Sequence, residues 1–370
     1  MDELVIDEAY RHARKHNRRS EDMVFFEHEK YANIASLKKS VNAKSYTPVS
    51  NYSFIHRRGN KPREVFAAEP KLKTLMAFLI DRIGPLIEAH LSPYTFNNRI
   101  GMGTQAAVNK VIENIYICSR GYTRPCWVIK YDFKGYFPNI NQDIAYKQLR
   151  TIVENEYNGS DKDDVLYALR VSCFCNPDKS YRKSPLWEWG DIPTYKSAYS
   201  RPPGIGAMIG YHLWQIETSL YPVEIDNFIA ENVTPYYVRF VDDSVLATDN
   251  KEMVLSMMPE IRRMCAELDI TMHPKKFYCQ PYQHGLEFLG YHIAPDRVHL
   301  NRRIVNHAFL AAKDKTRGVT SYINSVNSYL GMIKGTSDLA KARELLDLVN
   351  RPWIGKDYQN LKIYDTRRNP

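Results

Sequence analysis

The chain holds 370 residues, 44% apolar and 25% charged, too apolar for a disordered polymer and ordinary for a globular protein. Lys and Arg number 51 against 42 Asp and Glu, a formal charge of +9 that favours phosphate-bearing partners. No window approaches the ~18 consecutive apolar residues of a membrane span, and the first residues run acidic then basic, unlike a signal peptide. We therefore expect a cytoplasmic protein that does not contact a membrane.

At roughly 150 residues per domain, the length suggests two or three domains. The six cysteines (Cys118, Cys126, Cys173, Cys175, Cys265, Cys279) show no CxxC spacing, and no His pair completes a zinc set. They read as reduced thiols.

Residues 5–40 predict helix, with Ala9, Ala13, Phe25, Phe26, Tyr31, Ile34 and Leu37 recurring among charges. The basic run Arg11, Arg14, Lys15, Arg18 and Arg19 lies within it. Such a run is either a solvated helix face or a strip that holds a nucleic-acid backbone. Residues 46–68 alternate around a basic turn, Arg57 to Arg63, and predict two short strands. Residues 71–90 predict a helix broken near Gly84-Pro85, and a second amphipathic helix runs from about Gln105 to Ser119.

Trp127 to Asp132 is a strand former ending in a carboxylate, and Asn141 caps a helix over 142–155. A further helix spans 162–172. Residues 176–204 hold five prolines and no sustained period, which predicts an irregular insertion; 207–221 then predict helix. Tyr236 to Ala247 reads strand, acidic turn, strand, with Asp242-Asp243 at the tip. A helix over 251–267, strands near 276–280, 286–294 and 297–300, and helices from 302 to 350 follow, before a polar, loop-like end.

Asp132 at a strand end and Asp242-Asp243 at a hairpin tip suit two hard cations about 4 Å apart, which take oxygen ligands from rigid backbone. An Asp pair alone is weak evidence, since Asp163-Asp164 sits in a plainly polar stretch. The core-like flanks Val238, Phe240, Val241, Val245 and Leu246 strengthen the reading, because two like charges between apolar strands need a compensating cation.

Several segments carry a family resemblance. YDFKGYFPNI at 131–140, YVRFVDDSVLA at 237–247, KKFYC at 275–279 and LEFLGYHI at 286–293 stand in order, with KPREV at 61–65 and SPYTFNNRIGMGTQAAV at 92–108 upstream. On these motifs the sequence resembles the reverse transcriptases of bacterial retroelements, the group that includes group II intron, diversity-generating and phage-defence enzymes, over roughly residues 8–345.

The resemblance implies an α+β right-hand polymerase: an N-terminal basic helical segment (1–45), fingers and an antiparallel palm (46–295), a three-helix thumb (296–352) and a tail (353–370). It implies two Mg²⁺ ions on Asp132, Asp242 and Asp243, with the Phe133 carbonyl as a further ligand. Lys61, Arg63, Tyr136, Ile205, Gly206 and Lys276 would surround the incoming nucleotide, and Leu289, Gly290 and Tyr291 would form the primer grip. Tyr136 matches the residue that excludes a 2′-hydroxyl, a core tyrosine being the plainer alternative. Lys276 matches a proton donor to pyrophosphate, against which stands a merely packed lysine. Arg99, Gly101 and Gly103 fall in a segment that the family places against template.

Ile205-Gly206 keeps the Ile-Gly form of the diversity-generating group, but Gly210-Tyr211 replaces its Ser-Gln. That departure favours a defence-associated or otherwise unassigned bacterial enzyme, expected to copy a dedicated structured noncoding RNA into DNA from dNTPs. An accessory protein encoded nearby is left open. With roughly 20 residues after the implied thumb, no added nuclease domain is expected in this stretch. The alternatives are mutagenic copying in a diversity-generating retroelement, a template-independent nucleotidyl transferase, and a non-catalytic RNA-binding scaffold of the same fold.

Overall fold

A computed structural model describes residues 1–15, 17–48, 50–58, 61–174 and 181–367. In chain order it forms α1 (Glu3–Lys15), α2 (Glu21–His28), α3 (Lys30–Asn42), β1 (Ser50–Arg58), β2 (Lys61–Ala68), α4 (Pro70–His90) and α5 (Thr104–Cys118). Next come β3 (Trp127–Asp132), α6 (Tyr136–Asn139), α7 (Gln142–Glu156), α8 (Lys162–Cys173), β4 (Tyr181–Arg182), α9 (Leu186–Trp189), α10 (His212–Leu220) and α11 (Val223–Asn232). The rest is β5 (Tyr237–Phe240), β6 (Asp243–Thr248), α12 (Lys251–Glu267), β7 (Tyr278–Pro281), β8 (Leu286–Phe288), β9 (Tyr291–Ala294) and β10 (Arg297–Leu300), then α13 (Arg302–Lys313), α14 (Val319–Lys334), α15 (Leu339–Leu348), β11 (Ile354–Asp357) and β12 (Lys362–Asp365). The class is mixed α+β, with antiparallel pairing between most strand neighbours.

The chain divides into two interleaved units: Met1–Arg99 with Asp132–Asn232 and Met257–Lys275, and Ile100–Tyr131 with Val233–Ser256 and Lys276–Pro370. In the first, three helices replace the single one expected over 5–40. Ile6, Ala9 and Tyr10 of α1, Met23 and Phe26 of α2, and Ile34, Leu37 and Val41 of α3 are buried, and α1 packs along α4. Buried side chains of this size contribute roughly 1.5–3 kcal/mol each. The N-terminal segment is thereby part of the same body as α4.

The break expected at Gly84-Pro85 does not occur; α4 runs through it. Pro85 lies on the exposed face, where water can take over the carbonyl that loses its hydrogen bond. The hairpin β1–β2 keeps the expected strands, in register from Ser53↔Phe66 to Arg58↔Lys61. The stretch read as an irregular insertion, described from residue 181, adds β4 parallel to β1. The helix expected over 207–221 begins only at His212, because Gly206 and Gly210 at positive φ make 203–211 a loop.

The second unit holds a four-stranded sheet of order β5-β6-β3-β7, a three-stranded sheet β10-β9-β8, and α13 to α15. Its polar end is not a loop: β11 and β12 pair as a hairpin against α14, and the Asn327 side chain bonds both the N–H and the carbonyl of Ile363 at 2.8 Å. Cys118, Cys126, Cys173, Cys265 and Cys279 are free thiols; Cys175 lies outside the described residues. No helix among the described residues is long and apolar enough to cross a membrane.

Candidate functional site

The hairpin β5–β6 is built from the apolar residues that flag it in the sequence. Tyr237, Val238, Val245 and Leu246 are buried, and the register Phe240↔Asp243 leaves a two-residue turn, Val241-Asp242. Val241 has φ 59°, a left-handed conformation that a β-branched residue adopts only under strain, at a cost of roughly 1–3 kcal/mol. The fully buried Arg239 holds that turn, its guanidinium donating to the Val241 carbonyl at 3.0 Å.

Asp242 and Asp243 are half-buried. The Lys130 ammonium lies 3.2 Å from Asp243 Oδ1, with the two side chains 17% and 29% exposed. Lys130 also donates to the Glu287 carbonyl at 2.9 Å and sits over the Phe288 ring, so one cation ties β3 to the β6 carboxylate and to β8. Burial first, then the negative charges of Asp243 and Glu287, push the Tyr278 phenol well up from its ordinary value.

Asp132 is buried and closes β3, the strand beside β6 in the sheet order. Val128, Ile129 and Tyr131 bury the strand, and the Tyr131, Tyr237 and Ser244 hydroxyls form a chain at 3.4 and 3.3 Å. Within the first unit, the Asp132 carbonyl accepts from His273 N–H at 2.7 Å and Phe133 bridges to Met272. The main chain on which the Asp132 and Phe133 oxygens stand is thus pinned. Among the described residues, no three His, Cys, Asp or Glu side chains are gathered so as to hold a metal ion.

Tyr136 is buried, stacked on Phe133, and its hydroxyl donates to the Thr218 carbonyl at 2.7 Å. Its packing is that of a core ring. Ile205 bridges to Asn141, and Gly206 donates to the Ile140 carbonyl at 2.6 Å and accepts from Gln142 Nε2 at 2.8 Å. At φ 105° Gly206 is strained for any side chain, and a Cβ there would overlap the half-buried guanidinium of Arg201, which would have to shift. Burial, opposed by the charge of Glu64, pushes Arg201 down to about 10. At the far end of the loop, the Ile209 carbonyl accepts from Phe66 N–H at 2.8 Å, and a Cβ on Gly210 would overlap the Phe66 carbonyl. Loop 203–211 is thereby fixed both to β2 and to the segment after Asp132.

Arg63 is exposed on β2; the Lys61 side chain lies outside the described residues, and Lys276 is exposed in the turn before β7. Leu289 and Gly290, both at positive φ, form the β8–β9 turn. The close approach at Gly290 is to Ile304 of α13, and Tyr291 is buried, its hydroxyl donating to Gln105 Oε1 at 3.2 Å. Arg99 is spent inside the first unit, on Glu88 and the carbonyls of Ser92 and Thr95. Gly101 and Gly103 meet open space. The basic run divides: Arg11 pairs with Asp7 and Arg14 with Glu27, whereas Lys15, Arg18 and Arg19 are exposed.

Three residues here escaped the sequence reading. Lys130 and Arg239 stand out in retrospect as lone cations inside apolar strands. Glu64, buried on β2, accepts from Trp189 Nε1 at 2.7 Å, Ser197 Oγ at 2.9 Å and Ala198 N–H at 2.6 Å, and so anchors the insertion; no local pattern marks it.

No family model matches the chain, and no curated protein matches it. Among solved structures, telomerase from Candida albicans, in complex with a fragment of telomeric RNA, is 12% identical at a TM-score of 0.49, covering 85% of this chain and 58% of its own. Apo telomerase from Candida tropicalis is 12% identical at 0.49, covering 86% and 60%. The chain thus spans less than two thirds of those proteins, and likeness at this level assigns no activity.

Proposed function

We propose that the chain is an RNA-directed DNA polymerase, with β1–β2 in the fingers, the sheet β5-β6-β3-β7 as the palm and α13 to α15 as the thumb. The observation that supports this most is the strained β5–β6 turn, which carries adjacent carboxylates at the end of an apolar hairpin in a sheet whose neighbouring strand ends in Asp132. Hard oxygen donors on rigid backbone fit divalent magnesium by chemistry, although the Lys130 ammonium lies against Asp243 in the arrangement described. We assign the metal to Asp132, Asp242, Asp243 and the Phe133 carbonyl, where two bound ions would supply Lewis-acid stabilisation of the transferring phosphoryl group.

The chain's own residues do the positioning. The β3 hydrogen bonds and the His273 N–H hold the Asp132 backbone, and Arg239 holds the turn that presents Asp242. Loop 203–211 sets Ile205 and Gly206 beside the segment after Asp132. Lys61, Arg63 and Lys276 would meet the triphosphate, and Tyr136 would back the sugar. The substrates are dNTPs, and the partners a structured noncoding RNA and its DNA copy. We place the role in anti-phage defence because Gly210-Tyr211 departs from the Ser-Gln of the diversity-generating group.

Primer extension on defined RNA templates with dNTPs and Mg²⁺ tests this reading. Asp242→Asn lowers incorporation by about a thousandfold or more, the several kcal/mol that a metal ligand contributes. Retained turnover in that variant, or product whose sequence ignores the template, refutes it.

A further inference from the structure

The insertion after α8 carries more chemistry than a connector needs. Tyr181 and Trp187 are each 69% exposed and Tyr195 is 47% exposed, three rings on 15 residues of a segment with no apolar period. The segment is nonetheless held in place, by β4 on β1, by the Ser184 hydroxyl on Ile55 N–H at 3.0 Å, and by the Glu64 carboxylate. Rings on a fixed scaffold lose little entropy when they meet a ligand.

Tyr195 has the most specific surroundings. Its ring packs against Gly135, where a Cβ would lie 3.7 Å from it, three residues beyond Asp132. The Lys134 and Lys196 ammonium groups stand 5.6 and 5.5 Å from its centroid, and among the described residues neither is ion-paired. Two like charges beside one ring, neither ion-paired among the described residues, suit an anionic ligand. Further along, Arg182 stacks on Tyr199 and Lys183 on Tyr52, which brings more cations to the same segment.

We propose that Tyr195, Lys134 and Lys196 bind single-stranded nucleic acid, a base stacking on the ring and a phosphate taken between the ammonium groups, with Trp187 and Tyr181 offering faces to further bases. A ring face serves an unstacked base and is useless to a duplex, whose bases are already stacked. Three exposed rings on one held segment suit successive nucleotides better than one free nucleotide. The proposal deepens the polymerase reading, for which this strand is the template on its way to the site, but it is tested by binding alone.

The probe is a fluorescein-labelled 12-nucleotide oligouridylate, followed by anisotropy in EDTA without dNTPs. The paired change Trp187→Ala and Tyr195→Ala weakens binding by about tenfold or more, and Tyr195→Phe, which keeps the ring, retains it. The paired change Lys134→Ala and Lys196→Ala flattens the log–log salt dependence by about 0.7 for each phosphate released. These are surface changes, and an unaltered circular dichroism spectrum and melt identify folded protein. Wild-type affinity in the ring variant, equal loss for a duplex RNA, or displacement of the oligomer by dTTP overturns the proposal. Because no catalysis is involved, Asp242→Asn keeps this affinity, so failure of the polymerase reading and failure of this one give different results.

Discussion

Replacing Lys130 by Met removes a cation from beside Asp243 while keeping an unbranched chain over Phe288. At 3.2 Å, bare attraction in a medium of effective dielectric ~20 is about 5 kcal/mol, most of it offset by the cost of taking both charges partly out of water. A charge-assisted hydrogen bond with both side chains less than a third exposed contributes about 1.5–3 kcal/mol net, and its loss leaves Asp242 and Asp243 as adjacent carboxylates without this counterion. Lys130→Met therefore lowers stability by about 2 kcal/mol in EDTA, read as a fall in the urea midpoint at constant slope. Combined with Asp243→Asn, it shows a coupling energy of about 1 kcal/mol or more. A divalent cation can take the place that the ammonium leaves, so millimolar Mg²⁺ restores more stability to Lys130→Met than it adds to the parent. Strict additivity with Asp243→Asn, or Mg²⁺ stabilising both proteins equally, refutes the idea that lysine and metal compete for one carboxylate.

Glu217 on α10 is fully buried with neither carboxylate oxygen hydrogen-bonded, and burial raises its carboxyl well above the ordinary 4.5. The unfolded chain loses this proton above about pH 4.5 while the folded chain keeps it, so stability falls as pH rises from there to the folded value, by about 1.4 kcal/mol per unit. Glu217→Gln abolishes that slope, and urea titrations at pH 5 and 8 that show the same difference for parent and variant contradict it. Gly206→Ala, strained at φ 105° and crowded by Arg201, costs about 2–4 kcal/mol, whereas Gly204→Ala, at φ 80° but facing open space, costs about 1–2 kcal/mol from strain alone; equal losses would remove crowding from the account. Tyr136→Phe loses the bond to Thr218 and about 1 kcal/mol, and Tyr136→Ala loses about 3–5 kcal/mol through the cavity. If Tyr136 also gates the sugar, the Ala variant incorporates ribonucleotides at temperatures where it remains folded, and unchanged selectivity leaves it a core ring only.

Elements governed by local rules could be read before the fold was known. Asn141 was legible as a cap because the acceptor and its donors, the N–H groups of Asp143 and Ile144, lie within three residues. The strand ending at Asp132 and the hairpin carrying Asp242-Asp243 were legible because burial follows their own apolar runs. Where a local signal misled, tertiary context had changed its meaning. Gly84-Pro85 reads as a helix break, yet α4 runs through it, because Pro85 lies on the exposed face, where water can take over the carbonyl that loses its hydrogen bond. The C-terminal hairpin had no legible core because it is held by Asn327 on α14, 36 positions away from Ile363.

The same distinction separates the carboxylates of the candidate site from the groups that control them. A carboxylate between apolar runs advertises itself, since nothing else accounts for its place. The partner that sets its state does not, because β3 and β6 are neighbours in the sheet but 110 residues apart in the chain, and Lys130 meets Asp243 only after both strands have joined that sheet. Glu64 is the parallel case in the first unit: its three donors lie more than 120 residues away, and until they arrive it is one acidic residue among basic ones. Both side chains join strands to segments that sequence order keeps apart, which is where substitutions should alter the site while leaving every recognisable motif intact.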